Sequence, residues 1–418
     1  MPSYLKSYTL KLLNILIYLP FIWLGTGLCL VEGGRSIMTK LMVIAVVSLL
    51  ILYKKQAWSW VYKTRQQLYT STAILSFVVY LALLQAYHGA DEGLIRTLGL
   101  LTLYYYLFPL HLFNNRWIVV ALLLNAIGLG YLIYQNAYLV NVNRLVVDAK
   151  LMNPIPFATY CMVAAITQIY YAIKIQSVYL KILCLMASIV SITGMLLTDT
   201  RGVALALAII AVLIVIKLLI SRSKALITIS ILLFTLSTIL IGILLKNTFI
   251  NRYHQTQYEI HQIQKGNLNT SIGIRFQIWN SGTHTLLEHP FIGIGSKNFR
   301  PEFKKHFEQG IITKNIMYFN PMHYHNQFID MAVKNGLIGL VLFLGIFFVF
   351  LLKQRKVTIY SLSSVYVIVI FICGLTDVPF SHLSITYFFM LLLLFSSNTK
   401  SDSFAKSYNE LNVDNNRW

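Results

Sequence analysis

Long apolar runs separated by short polar connections dominate the chain. A helix needs about 20 consecutive, mostly apolar residues to cross the hydrocarbon core of a bilayer. Twelve segments meet or approach that length, although three of them are short: residues 10–30, 40–53, 70–87, 94–113, 117–134, 155–173, 178–197, 202–220, 225–245, 336–352, 357–376 and 383–396. The pattern therefore predicts an all-α, polytopic membrane protein with about 12 transmembrane helices.

Composition supports this prediction and changes the meaning of the net charge. Hydrophobic residues make up 57 % of the chain and charged residues 11 %, whereas soluble proteins carry about 25 % charged residues. The formal charge of +20 would indicate nucleic-acid binding in a soluble protein. In a membrane protein it first indicates topology, so we expect no nucleic-acid partner. The four cysteines are scattered in apolar runs and show no metal-ligand spacing, which is typical of buried, unpaired thiols.

Alternate connections are basic and contain no acidic residue. Their cations are Lys54, Lys55, Lys63, Arg65, Arg116, Lys174, Lys181, Lys217, Arg222, Lys224, Lys353, Arg355 and Lys356. The positive-inside rule places these connections in the cytoplasm. With twelve spans, both termini are then cytoplasmic, the first span is a retained signal-anchor, and residues 398–418 form a short cytoplasmic tail.

The longest polar segment separates the ninth and tenth predicted spans and falls on the outer side. We expect four regions: spans one to nine (1–245), an outer loop (246–325), spans ten to twelve (326–397) and the tail. The loop carries nine Lys or Arg residues against four Glu. Its cations suit either anionic headgroups of membrane lipids or a phosphorylated lipid substrate. Helical spacing predicts two amphipathic helices lying on the membrane, one ending before Pro290 and one beginning near Pro301.

Two arginines on the outer side are further candidates, one at the junction of spans seven and eight and one within the loop. Arg201 follows Thr198-Asp199-Thr200, and Arg275 follows Gly273 near the start of the first loop helix. Each is either an ordinary interfacial arginine or a phosphate ligand, because guanidinium binds phosphate in a bidentate manner. Gly273 would allow close backbone approach there.

The third candidate is His323-Tyr324-His325-Asn326-Gln327, at the outer end of span ten. Asn326 is a candidate N-cap, which would keep His325 at a helix N-terminus and favour its neutral, basic form. Asp330 is a candidate to orient that ring. A metal site is the alternative, but no carboxylate or cysteine neighbours the histidines at ligand spacing. A structural polar histidine remains a third interpretation.

Several motifs are absent from the chain. It contains no Asp-x-Asp, no Walker loop and no Gly-x-Ser-x-Gly, and acidic residues are nearly missing from the spans. No internal repeat is evident. A polysaccharide flippase or transporter is therefore a weak alternative.

The chain resembles the O-antigen ligases of Gram-negative bacteria, a family related to O-antigen polymerases. The similarity is carried by the long outer loop between spans nine and ten and by three motifs. The motifs are Thr200-Arg201-Gly202; Arg275, Trp279 and Glu288-His289-Pro290 with Gly293-Ile294-Gly295; and His325-Asn326, a nine-residue gap, then Gly336-Leu337-Ile338-Gly339. The last motif favours a ligase over a polymerase.

This resemblance implies a glycosyltransferase of the inner membrane with a periplasmic active site. The donor would be O-antigen polysaccharide on undecaprenyl diphosphate, and the acceptor a hydroxyl of lipid A–core. His325 would take the acceptor proton, while Arg201 and Arg275 would hold the leaving diphosphate without metal or cofactor. Candidate substrate-binding residues are His323, Asn326, Arg300, Lys297, Lys304 and Lys305. The core type, the O-antigens accepted and the oligomeric state stay open.

Overall fold

The computed structural model describes residues 12–59, 63–136, 152–220, 246–352 and 361–396, and this part of the chain is helical without a strand. The membrane-region helices before the outer loop are α1 (Leu19–Thr26), α2 (Gly34–Trp58), α3 (Arg65–Tyr87), α4 (Glu92–Leu107), α5 (Arg116–Tyr134), α6 (Pro154–Lys174), α7 (Val178–Leu197) and α8 (Arg201–Ile220). The outer loop contains α9 (Lys246–Gln264), α10 (Ser271–Glu288), α11 (Phe299–Glu308) and α12 (Lys314–Phe319). The chain continues with α13 (Gln327–Leu352), α14 (Leu362–Gly374) and α15 (Leu383–Ser396).

Six of the described helices are long and apolar enough to cross a membrane, namely α2, α3, α5, α6, α7 and α13. Three shorter apolar helices are α14, α15 and the first part of α8. A polytopic, all-α membrane protein is therefore confirmed, whereas the count of twelve stays a prediction. The predicted ninth span (225–245) and the tail (398–418) lie outside the described residues.

The predicted first span is not one continuous helix. Within its described part, a turn at residues 17–18 precedes α1, and a series of turns follows α1 from residue 27 to residue 33. α1 itself is only 8 residues long and carries Pro20 in its first turn. Glycines at the turns and a proline at the helix start provide the local reason, since proline begins helices and glycine ends them.

α15 lies at the centre of the bundle. All but one of its residues are buried, and it packs against α4, α6 and α14. Phe395 near its end contacts the rings of Phe21, Phe113 and Tyr105. A helix that is apolar all round is stable only when protein or lipid surrounds it, and here protein does. The four cysteines are free and buried, as expected.

The outer loop has its own apolar core. The two predicted helices are present as α10 and α11, and two further helices, α9 and α12, flank them. Phe299 and Phe303 of α11 pack their rings against Tyr324 and are 4 % exposed. The expectation that this helix lies on the membrane does not hold for Phe299 and Phe303, because protein covers them. The reason is that Tyr324, which is distant in sequence, supplies the apolar partner.

α13 is interrupted at Gly336, and the outer loop fills the interruption. Gly336 has φ 71° and ψ 176°, which leaves carbonyls before it and amides after it without helical partners. The amides of Ile294 and Gly295 donate to the carbonyls of Val333 and Lys334, at 3.0 and 2.9 Å. In return, the amides of Leu337 and Ile338 donate to the carbonyls of Pro290 and Phe291, at 2.8 and 3.3 Å. The turn after Pro290 thus docks on the break in the helix.

Candidate functional site

The His323–Gln327 segment enters α13 through a strained turn. His325 has φ +49°, a left-handed conformation that is uncommon for a residue with a side chain. Asn326 follows, and its Oδ1 accepts from the amides of Phe328 and Ile329 at 3.0 and 3.1 Å. The predicted N-cap at Asn326 is therefore confirmed. Such caps stabilise a helix by about 0.5–2 kcal/mol, so the cap helps to hold His325 in its turn.

The same segment fixes the connection between α14 and α15. Asn326 Nδ2 donates to the Leu375 carbonyl at 3.3 Å, and Gln327 Oε1 accepts from the Phe380 amide at 2.8 Å. These two contacts span the stretch that contains Asp377. The side-chain amides of Asn326 and Gln327 do not face solvent. They hold the connection between α14 and α15, which is distant in sequence, against the two histidines.

Asp377 is the carboxylate that faces the histidines. Its Oδ1 lies 3.6 Å from His325 Nδ1 and 3.9 Å from His323 Nε2, and its side chain is 1 % exposed. The hypothesis that Asp330 orients the ring is wrong, because Asp330 binds Lys334 at 2.8 Å and accepts from the Tyr324 amide. Asp377 lies 52 residues beyond His325, so no local spacing signals it.

The electrostatics of this cluster favour neutral rings at His323 and His382 beside a charged carboxylate. Burial lowers the pKa of His323 to about 4 and also lowers the pKa of His382. Burial acts to raise the pKa of Asp377, but its interactions with His325, His323 and His382 outweigh burial and hold this pKa below its ordinary value. A neutral histidine next to an ionised aspartate can accept a proton and have its resulting charge stabilised.

His323, His325 and Asp377 also form a set that could hold a metal ion, since one donor atom from each lies within 4.8 Å of the others. No carboxylate neighbours the histidines at ligand spacing along the chain, but the fold brings one to them in space. The carboxylate comes from another part of the chain. Two histidines and a carboxylate are typical zinc ligands. The positive charge of Arg275 acts on Asp377 and therefore disfavours the binding of a metal cation at this set.

Arg201 lies at the start of α8 and points towards α9. Its Nη1 donates to Thr256 Oγ1 at 3.1 Å, and its Nη2 lies 3.3 Å from Glu259 Oε1. Asp199, two residues earlier, has φ +56°. The turn that presents Arg201 is therefore strained, as the turn at His325 is, and strain of this kind clusters at functional sites. Glu259 lies 58 residues beyond Arg201, so no local spacing signals it.

Arg275 lies one turn into α10. Just before it, the backbone of Gly273 packs closely against the backbone of Leu268. A Cβ at Gly273 would lie 2.5 Å from the Leu268 carbonyl oxygen, so the expected role of that glycine is confirmed. Burial lowers the pKa of Arg275, Asp377 raises it and Arg201 lowers it further. Arg275 thus interacts electrostatically with Asp377 of the histidine cluster and with Arg201. Trp279, one turn further on, donates to the Tyr324 carbonyl at 2.9 Å.

The four other predicted cations have different surroundings. Lys305 pairs with Glu288 and Glu302, and Lys304 lies 4.0 Å from Glu308 while 72 % exposed. Arg300 contacts the sulfur of Met322. The stem of Lys297 lies against Gly89. The structure thus engages these side chains in contacts of their own, and their assignment to substrate binding stays a prediction.

Comparisons with known proteins find similarity in the middle of the chain. The family described as O-antigen ligase matches residues 186–344, a segment that contains Arg201, Arg275 and His325. An uncharacterized protein of Haemophilus influenzae is 31 % identical over 91 residues, which are 22 % of this chain and 22 % of that protein. The matched segment runs from α7 to α13 and includes the docked turn and the break at Gly336. Residues 186–344 of this chain are therefore similar to the O-antigen ligase family.

Proposed function

We propose that the protein is an O-antigen ligase of the bacterial inner membrane. In this proposal it transfers O-antigen polysaccharide from undecaprenyl diphosphate to a sugar hydroxyl of lipid A–core on the periplasmic side. The observation that carries the proposal is the juxtaposition of His325 and Asp377 with Arg201 and Arg275. A base, its counter-charge and two guanidinium groups are what glycosyl transfer from a diphosphate requires.

The proposed reaction is a direct displacement. Asp377 faces Nδ1 of His325, so this nitrogen carries the proton and Nε2 is the base. Nε2 takes the proton of the acceptor hydroxyl as its oxygen bonds to the anomeric carbon. The bond from that carbon to the diphosphate oxygen breaks, and the configuration inverts. The diphosphate leaves with the electron pair, and Arg201 and Arg275 stabilise its charge.

The test is transfer in vitro with purified protein, lipid-linked polymer and lipid A–core. We expect His325→Ala, Arg201→Ala and Arg275→Ala each to lower transfer by at least about 100-fold, the usual contribution of acid–base or oxyanion groups. His284→Ala is the matched control, since this exposed histidine lies on the same loop. Full transfer by His325→Ala would refute the catalytic assignment.

A deletion strain separates ligase from polymerase. Loss of a ligase leaves long chains on the lipid carrier and unsubstituted core on lipid A. Core that carries single repeats after deletion would instead identify a polymerase and refute the proposal, because single repeats can reach the core only if a separate ligase is active.

A further inference from the structure

Glu259 is a buried carboxylate placed among the groups that the proposed function assigns to the leaving diphosphate. It is 4 % exposed. Its Oε1 lies 3.3 Å from Arg201 Nη2, and its Oε2 accepts from the Ile272 amide at 3.0 Å. It also acts electrostatically on Arg275. One carboxylate thus contacts a guanidinium group and also accepts from a backbone amide at the start of α10.

These partners are those expected for a phosphate. The first amides of a helix have no helical acceptor, and the helix dipole favours negative charge there. Thr270 Oγ1 accepts from the Gly273 amide at 3.0 Å, whereas the Ile272 amide donates to Glu259. Guanidinium and backbone amide together bind phosphate as readily as carboxylate. The chain therefore supplies its own anion at this position.

A diphosphate and the Glu259 carboxylate cannot both occupy these donors at low cost. Both are anions, and like charges a few ångströms apart in a partly buried site repel strongly. Each would also compete for the same Nη2 of Arg201 and the same amide of Ile272. Binding of the diphosphate donor therefore requires Glu259 to move away from Arg201 and Ile272. The segment of α9 that carries Thr256, which accepts from Nη1 of Arg201, must move with it.

We propose that Glu259 is a built-in occupant of the diphosphate subsite, which the donor displaces when it binds. The inference rests on the proposed function in one respect, the assignment of Arg201 to the leaving diphosphate. In the resting protein, α9 closes this subsite. When a diphosphate-linked lipid arrives, its phosphate oxygens replace the two Glu259 oxygens, and α9 moves away from α8 and α10.

The decisive variant is Glu259→Gln in the full-length protein, with inorganic pyrophosphate as the probe. Glutamine keeps the size of the side chain and one oxygen for the Ile272 amide but removes the competing charge. We expect calorimetry to give about tenfold tighter pyrophosphate binding than in the wild type, the order of magnitude expected for removal of one near like charge under solvent screening. Arg201→Ala combined with Glu259→Gln should abolish this gain.

Glu308→Gln is the matched control. It removes the same charge from the same loop at a side chain that is 64 % exposed and paired only loosely with Lys304, at 4.0 Å. This control should change pyrophosphate affinity less than twofold. Equal gains in both variants would show a general charge effect and would overturn the proposal. Unchanged or weaker binding in Glu259→Gln would also overturn it, since the carboxylate would then merely position Arg201.

A second measurement uses the wild type and does not depend on how a variant folds. Hydrogen exchange of α9 should increase when pyrophosphate is added, because α9 loses its contact with Arg201. Increased protection of α9 would overturn the displacement. Transfer to lipid A–core is assayed separately with complete substrates. A protein that lacks this transfer, yet binds pyrophosphate more tightly after Glu259→Gln, contradicts the ligase proposal and supports the role of Glu259.

Discussion

Replacing Gly336 with alanine tests whether the docked turn holds the outer loop on the membrane helices. A Cβ at Gly336 would lie 1.9 Å from the carbonyl oxygen of Phe291. The φ of 71° and ψ of 176° belong to a region that only glycine populates readily. The added methyl group therefore forces either the turn or α13 to move.

The magnitude follows from the bonds at the break. Four backbone hydrogen bonds join the turn to α13, and each contributes about 0.5–1.5 kcal/mol. Backbone strain at such a residue adds about 1–3 kcal/mol. Some bonds will survive by adjustment, so we expect Gly336→Ala to lower the free energy of unfolding by about 3–5 kcal/mol.

The assay is thermal unfolding of the detergent-solubilised protein, with transfer activity measured on the same samples. Gly345→Ala is the control within the same helix, because a Cβ there meets nothing within 4 Å. Alanine at a helical position stabilises by about 0.5–1 kcal/mol relative to glycine. The reasoning is refuted if the two variants unfold at the same temperature and keep the same activity.

Three further predictions concern the site itself. Asp377→Asn should lower transfer about 100-fold or more, since the charge that stabilises protonated His325 is lost; near-normal transfer would exclude this role. Asn326→Ala should cost about 0.5–2 kcal/mol of stability through loss of the cap and should also lower transfer, measured by unfolding and by turnover; a change in stability alone would separate the cap from the chemistry. Transfer should withstand EDTA, because two arginines suffice for the diphosphate; loss of transfer that Zn²⁺ restores would instead assign a metal to His323, His325 and Asp377.

The sequence predicts those features that depend on neighbours along the chain. Apolar runs predicted most of the membrane helices, and the Asn326 cap followed from the residue types at one helix start. Arg275 behind Gly273 was also visible locally, because both lie in one turn of α10. These features need no knowledge of which helices pack together.

Features that depend on distant contacts could not be predicted. Asp377 meets His325 only because Asn326 and Gln327 bind the connection between α14 and α15. Glu259 meets Arg201 across 58 residues. The sequence predicts that α11 lies on the membrane, because Tyr324, which covers Phe299 and Phe303, is remote in sequence. Hydrophobic periodicity shows that a face is buried, but it does not show what buries it.

Tyr324 couples the turn at His325 to the helices of the outer loop. Its carbonyl accepts from Trp279 of α10, its ring lies against α11, and the next residue is His325. The proposed base is thereby anchored to the helix that also carries Arg275. A displacement of α10 would therefore move Arg275 and disturb the turn at His325 together.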